Sequence, residues 1–376
     1  MKKSLIVLGI AAGLVGLAQA ENTTTLYGAI GASTSMKDGL THEEGSYSQK
    51  TVKDIIGDKD DKKDNKNLIK DVKDTWDENI WDLNTSPAKF GIKGTEDLSN
   101  GLQAFYKMEF GFDPDEGVNS TRYAYIGLKG DFGTLTLGKS NALYGDLTTY
   151  NDIFENGFFD ENAHYGNLTK KTRVAKQIRY DSPDMSGMHF GIAGILDGSH
   201  NVVETSDSKS FVGFQTGLWY EQNGLYASVA YSNLDGDYQN CLDHGKDKKE
   251  CSGFTKGSTE VIGANVGYEN DQFRIGLGAE HAASLGEKYN LAGAYYMGPN
   301  TFRAGFAVSD SDDFNRVISN QGTVGKGETA YTYALGYQYN FSKRTFTYID
   351  GTYIDYSDNK VADDGYLINV GLRHDF

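Results

Sequence analysis

The chain has 376 residues, 36 Lys plus Arg against 52 Asp plus Glu, a formal charge of −16, and 46 Gly, 25 Tyr and 19 Phe beside only 4 Pro. Three classes are excluded: a multi-span helical membrane protein, which needs several apolar runs of about 20 residues; a disordered chain, which is poor in aromatics; and an acidic chain's opposite, a basic nucleic-acid-binding surface. With a mean hydropathy of −0.52, what remains is a soluble globular protein or a transmembrane β-barrel, whose alternating strands average to a hydrophilic score.

Residues 1–20 read as a secretory signal, with Lys2 and Lys3, an apolar run from Leu5 to Ala18, and an A-x-A site at Ala18-Gln19-Ala20. Its removal lowers 36 basic residues to 34 against 52 acidic ones, a charge of −18. From Thr24 onward the dominant period is two, so successive side chains serve two faces of a strand. Phe90 and Ile92 oppose Lys89, Gly91 and Lys93; Leu102, Ala104, Tyr106, Met108 and Phe110 then oppose Lys107 and Glu109. Arg122 lies on the strand from Thr121 to Lys129, and Arg173, Ala175, Gln177 and Arg179 oppose Val174, Ile178 and Tyr180. Further on, Phe273, Ile275, Leu277 and Ala279 oppose Arg274 and Glu280, and Tyr331, Tyr333, Leu335, Tyr337, Tyr339 and Phe341 make one unbroken face. The last strand places Tyr366, Ile368, Val370, Leu372, His374 and Phe376 together.

Short polar links such as Gln222-Asn223-Gly224 and Gly298-Pro299-Asn300 alternate with long loops. That layout predicts an all-β fold, a transmembrane antiparallel up-and-down barrel of about sixteen strands, formed by residues 21–376 as one domain. A lumen of that width cannot be filled by side chains, so the apolar face belongs toward lipid. Charged residues then face the lumen, because each would cost about 2–4 kcal/mol at mid-depth in lipid. Lys89, Lys93, Lys107, Glu109, Arg122, Arg173, Arg179 and Arg274 are the candidate lumen charges.

Three segments leave the strand rhythm. Residues 36–83 hold, between Asp38 and Asn84, 13 acids and 8 lysines, the composition of a solvated external loop. Residues 141–172 form an aromatic, acidic loop between two strands. Residues 235–257 carry the only cysteines, Cys241 and Cys251, which an oxidising compartment would let close into a disulfide; two free thiols or a metal pair are the alternatives.

Motifs for turnover chemistry are missing their context. Gly133–Ser140 fits the pattern G-x-x-x-x-G-K-[ST], yet its alternating Thr and Leu are strand material, whereas a phosphate cradle needs a loop between strand and helix. His281 and Ser284 are close in sequence without a nucleophile elbow, and the histidines lack metal-ligand spacing. No enzyme activity, cofactor, metal or nucleic-acid partner is expected.

Several blocks in order resemble the trimeric general diffusion porins of the Gram-negative outer membrane: Thr25-Leu26-Tyr27-Gly28, Lys89 to Leu102, Arg122 to Gly133, Ile178 to Pro183, Tyr339 to Arg344 and Gly371 to Phe376. The resemblance covers essentially the whole mature chain. It implies that 141–172 is a third external loop folded into the barrel as an eyelet. Asp152 and Glu155, then Asp146 and Asp160, would be its acids, facing Lys89, Arg122 and Arg173 on the wall. The family's usual loop tip is replaced by Phe154 to Phe159, and Lys89 stands where Arg is usual. The resemblance also implies a homotrimer, with Gly28 and Gly127 as small outward residues suited to close packing.

The expected function is a passive, water-filled outer-membrane channel for ions and small hydrophilic solutes, with membrane lipid and like subunits as partners. Two alternatives accompany it. One is a substrate-specific channel with an aromatic ladder of Tyr144, Tyr150, Phe154, Phe158 and Phe159; the other is an adhesin or receptor presenting loop 36–83.

Overall fold

The computed structural model describes residues 22–38, 80–85, 87–113, 117–155, 159, 163–164, 173–196, 211–235, 258–283, 286–310, 329–357 and 364–376. The expected signal at 1–20, most of the expected loop 36–83, Phe158, Asp160, Cys241 and Cys251 lie outside the described residues.

The strands run in chain order as β1 (Thr23–Asp38), β2 (Ile80–Asn84), β3 (Lys89–Asp97), β4 (Gln103–Asp113), β5 (Gly117–Gly130), β6 (Gly133–Ser140), β7 (Val174–Asp181), β8 (Met188–Leu196) and β9 (Phe211–Gln222). They continue as β10 (Leu225–Asp235), β11 (Ser258–Glu269), β12 (Phe273–Ala282), β13 (Gly286–Met297), β14 (Asn300–Asp310), β15 (Thr329–Asn340), β16 (Thr345–Tyr356) and β17 (Gly365–Asp375). Between β6 and β7 lies one short helix, α1 (Leu143–Thr148). The segment resembling a phosphate loop is strand β6.

Each strand pairs antiparallel with its neighbours, and β1 closes on β17 from Ala29 opposite Asp375 to Asp38 opposite Tyr366. On its other edge β1 pairs with β3 through Thr23–Ala29 and with β2 through Ser33–Lys37, so β2 and β3 are two halves of one stave. The 17 segments therefore make a closed barrel of 16 staves. Because β1 reaches Asp38 and β2 starts at Ile80, both ends of the segment expected as loop 36–83 belong to the wall. Closing β1 on β17 removes the two free edges that an open sheet would expose to lipid. At the short-turn rim, Asn223 (φ 54°) and Gly224 (φ 84°) join β9 to β10 in a two-residue turn that requires left-handed backbone.

Alternation sorts the side chains as expected. On β15, Leu335 is 70% exposed to the outside, with Tyr333 and Phe341 on the same face, whereas Ala330, Thr332 and Ala334 are buried inside. Leu335 lies mid-strand, opposite Ala304 on β14 and Gly351 on β16. Leu335→Arg is expected to destabilise the membrane-inserted barrel by about 2–4 kcal/mol, measured by urea unfolding from lipid vesicles; unchanged stability would place that face away from lipid.

Two of three expectations about facing change. Gly127 lies on the lumen side, where Phe105 covers it, while Ile126 and Leu128 on either side are exposed. Gly28 does share the outward face of Leu26 and Ile30, but the ring of Phe376 lies over it. Val174 is buried with Ala142, Ile195, Val212 and Leu234 instead of facing out. The cause is a bulge: pairing slips between Gly138 and Ser140, and Lys176 takes φ 55°, which resets the alternation.

Candidate functional site

The segment after β6 enters the barrel and lies along half of its inner wall. Helix α1 packs against β8–β11, and all six of its residues are buried. Its last carbonyls have no partners within so short a helix; the wall supplies them. Ser228 Oγ and the Tyr226 hydroxyl donate to Leu147 O at 2.5 and 3.2 Å, and Asn265 Nδ2 donates to Thr148 O at 2.9 Å. Further on, Arg274 donates to Tyr150 O and stacks 4.1 Å from the Tyr150 ring centroid, and Asn151 donates to Asn290. Asn290 in turn donates to Ala163 O at 3.2 Å, Lys288 to His164 O at 3.3 Å, and His164 meets Glu280 at 3.4 Å.

The wall under this segment is cut back to glycine. A methyl group on Gly217 would overlap Leu147, one on Gly267 would overlap Tyr150, and one on Gly305 would press on Phe154 and Phe159. These close approaches explain why Tyr144, Tyr150, Phe154 and Phe159 are buried. They do not form an exposed ladder for solutes. Their apolar area holds the segment to the wall.

The acids expected on the loop divide into two kinds. Asp146 is buried and receives Arg179 Nη1 at 2.5 Å and Asn141 Nδ2 at 2.8 Å, while Arg179 Nε also binds Asp181 at 2.9 Å. Glu155 meets Arg373 at 3.3 Å and Arg303 at 3.6 Å, and its backbone N–H donates to Asp350 at 2.9 Å. Asp152 is exposed, and no ion pair to it occurs among the described residues. Arg303, Asp350 and Arg373, on β14, β16 and β17, were not among the candidates. Their signal was available: Arg303 alternates with Phe302 and Ala304, and Arg373 sits between the outward Leu372 and His374.

The wall left uncovered by this segment includes β1, β3, β4 and β5. Here Glu109, 1% exposed, accepts Arg122 Nε at 2.6 Å and the Tyr27 hydroxyl at 2.8 Å, with Lys107 Nζ at 3.5 Å. Arg122 reaches it because of a second bulge: Glu109 pairs with Tyr123 and Phe110 with Thr121, leaving Arg122 as the extra residue. Lys107 Nζ lies 3.7 Å from the Tyr123 ring centroid and the Arg173 guanidinium 5.6 Å from it. Lys89 stands within electrostatic reach of Glu109, Arg122 and Arg373, which joins this cluster to the one around Glu155. The structure thus brings Lys89, Lys93, Lys107, Arg122, Arg173 and Glu109 together, and sets Arg179 and Arg274 apart as anchors of the loop.

A family model described as Gram-negative porin matches residues 4–359. An outer membrane porin of Bordetella pertussis is 28% identical over 100% of both chains, and a major outer membrane protein P.IB of Neisseria gonorrhoeae is 25% identical over 100% of both. Among solved structures, an anion-selective porin from Comamonas acidovorans superposes with a TM-score of 0.63 at 20% identity, covering 95% of this chain and 100% of that one. OmpF of Salmonella typhi, solved with daunomycin, gives a TM-score of 0.62 at 18% identity, covering 94% and 98%.

Proposed function

The chain belongs to the Gram-negative porin family, whose barrels form water-filled outer-membrane channels for passive diffusion of ions and small hydrophilic solutes, and from that premise we propose how its constriction selects. The loop from Asn141 narrows the lumen on one side, the basic wall bounds the other, and the passage favours anions. One observation carries this: Lys89, Lys93, Lys107, Arg122 and Arg173 gather around Glu109, which pairs with Lys107 and Arg122, while Asp375, the other carboxylate near Lys89, is held by Arg373, and Asp146 and Glu155 are occupied by arginines. Among the described loop acids, only Asp152 is left to oppose the wall. In a narrow aqueous passage the local charge balance, not the total of the chain, sets the potential an ion meets.

Reversal potential in a KCl gradient across a planar bilayer tests the reading. A potential of the sign for chloride permeation is expected; the sign for potassium overturns it. Family membership supports a homotrimer, and chemical cross-linking in detergent checks it by a three-subunit limit. Among the described residues no exposed aromatic rail favours a solute-specific channel, since Tyr144, Tyr150, Phe154 and Phe159 are buried.

A further inference from the structure

Two lysines face each other where cross-strand chemistry disfavours it. Lys93 on β3 and Lys107 on β4 are direct partners, both on the lumen face, and like charges directly opposite destabilise a strand pair. Tyr27 on β1 resolves the conflict. Its row across the sheet is Tyr27, Gly91, Glu109, and because Gly91 carries no side chain the phenol lies over β3 to reach Glu109. A Cβ at Gly91 would come 2.8 Å from the Tyr27 hydroxyl oxygen. So placed, the ring takes both ammonium groups, Lys93 Nζ at 5.2 Å and Lys107 Nζ at 5.5 Å from its centroid. The electron-rich ring face offsets part of their repulsion. Glu109 accepts from Arg122 and from the Tyr27 hydroxyl and also meets Lys107 Nζ at 3.5 Å, while Lys93 has the Tyr27 ring.

We propose that Lys93 and Lys107, held together by the ring of Tyr27, form a subsite for a multivalent oxyanion on the short-turn side of the constriction. Lys93 lies four residues along β3 from Lys89, about 13 Å of strand, toward the rim where β3 turns into β4. An anion that has passed Lys89 and Arg122 meets a second positive station there. Two ammonium groups sharing one aromatic face suit a ligand with two or more anionic oxygens; a monovalent halide engages them less. The subsite rests on the anion-favouring reading above and extends it from charge sign to ligand class.

Inorganic phosphate is the probe, added to wild-type channels carrying chloride in a planar bilayer. A saturable fall in chloride conductance is expected. Lys93→Gln and Tyr27→Leu should each raise the half-blocking phosphate concentration at least about fivefold. Tyr27→Phe, which keeps the ring and loses the hydroxyl bond to Glu109, should stay within about twofold. Lys93 is exposed, so its variant guards against a Tyr27→Leu barrel that fails to fold. Block that does not saturate, or that none of the variants weakens, overturns the subsite. Equal loss in Tyr27→Phe and Tyr27→Leu overturns the role of the ring. The wild-type reversal potential in KCl, recorded without phosphate, separately reports whether the underlying anion preference stands.

Discussion

Arg179→Met is expected to lower the unfolding free energy of the channel by about 3–5 kcal/mol, the usual cost of removing one partner from a buried ion pair. Arg179 is 6% exposed and bridges Asp146 on α1 to Asp181 on β7. Removing it leaves the buried Asp146 carboxylate with only Asn141 as partner and deprives Asp181 of its cation. The same arginine donates to Asn141 O at 3.3 Å, where the chain turns inward from β6. The loss therefore falls on the root of the constriction as well as on the wall. Urea unfolding should show the stability change, and single-channel records should show larger, noisier conductance as the root of the loop loosens. Arg179→Lys should recover only part of it, since an ammonium cannot present the planar fork that meets Asp146 and Asp181 together. Full stability in Arg179→Met would mean that the pair contributes nothing beyond its neighbours.

The second large effect concerns selectivity. The triple variant Lys89→Gln, Arg122→Gln, Arg173→Gln should move the reversal potential toward cations and remove most of the anion preference. A unit charge about 7 Å from a permeating ion contributes roughly 0.6 kcal/mol even at the dielectric constant of water, so three charges contribute about 1.8 kcal/mol, a ~20-fold change in permeability ratio. Lys93 and Lys107 then stand against Glu109 and Asp152, so the net positive charge of the passage is largely removed. The measurement belongs at or below about 0.1 M salt, where the screening length of about 10 Å still spans the passage. An unchanged reversal potential would remove these three residues from the constriction.

Part of the site could be read without coordinates. Lys89, Lys93, Lys107 and Glu109 were placed in the lumen because strand periodicity is local and lipid punishes charge. Arg122 reached the same place for another reason, a bulge that alternation does not encode. Val174 went astray through the companion bulge at Lys176. The aromatic residues of the loop illustrate a different limit. Composition marks Tyr144, Tyr150, Phe154 and Phe159 as important without saying whether a solute or the wall receives them; the answer lies in glycines on β9, β11 and β14.

By itself the amino-acid sequence determined the barrel, its stave number, its outward and inward faces and the sign of charge along β3 and β4, because each follows from period-two alternation against lipid and water. Only the tertiary structure decided which acids remain available to the passage. Glu155 and Arg373 are 218 residues apart and meet because the barrel closes and the loop crosses its lumen. Pairings made by closure depend on register and loop path summed around the whole ring, and no local pattern in the chain carries that sum.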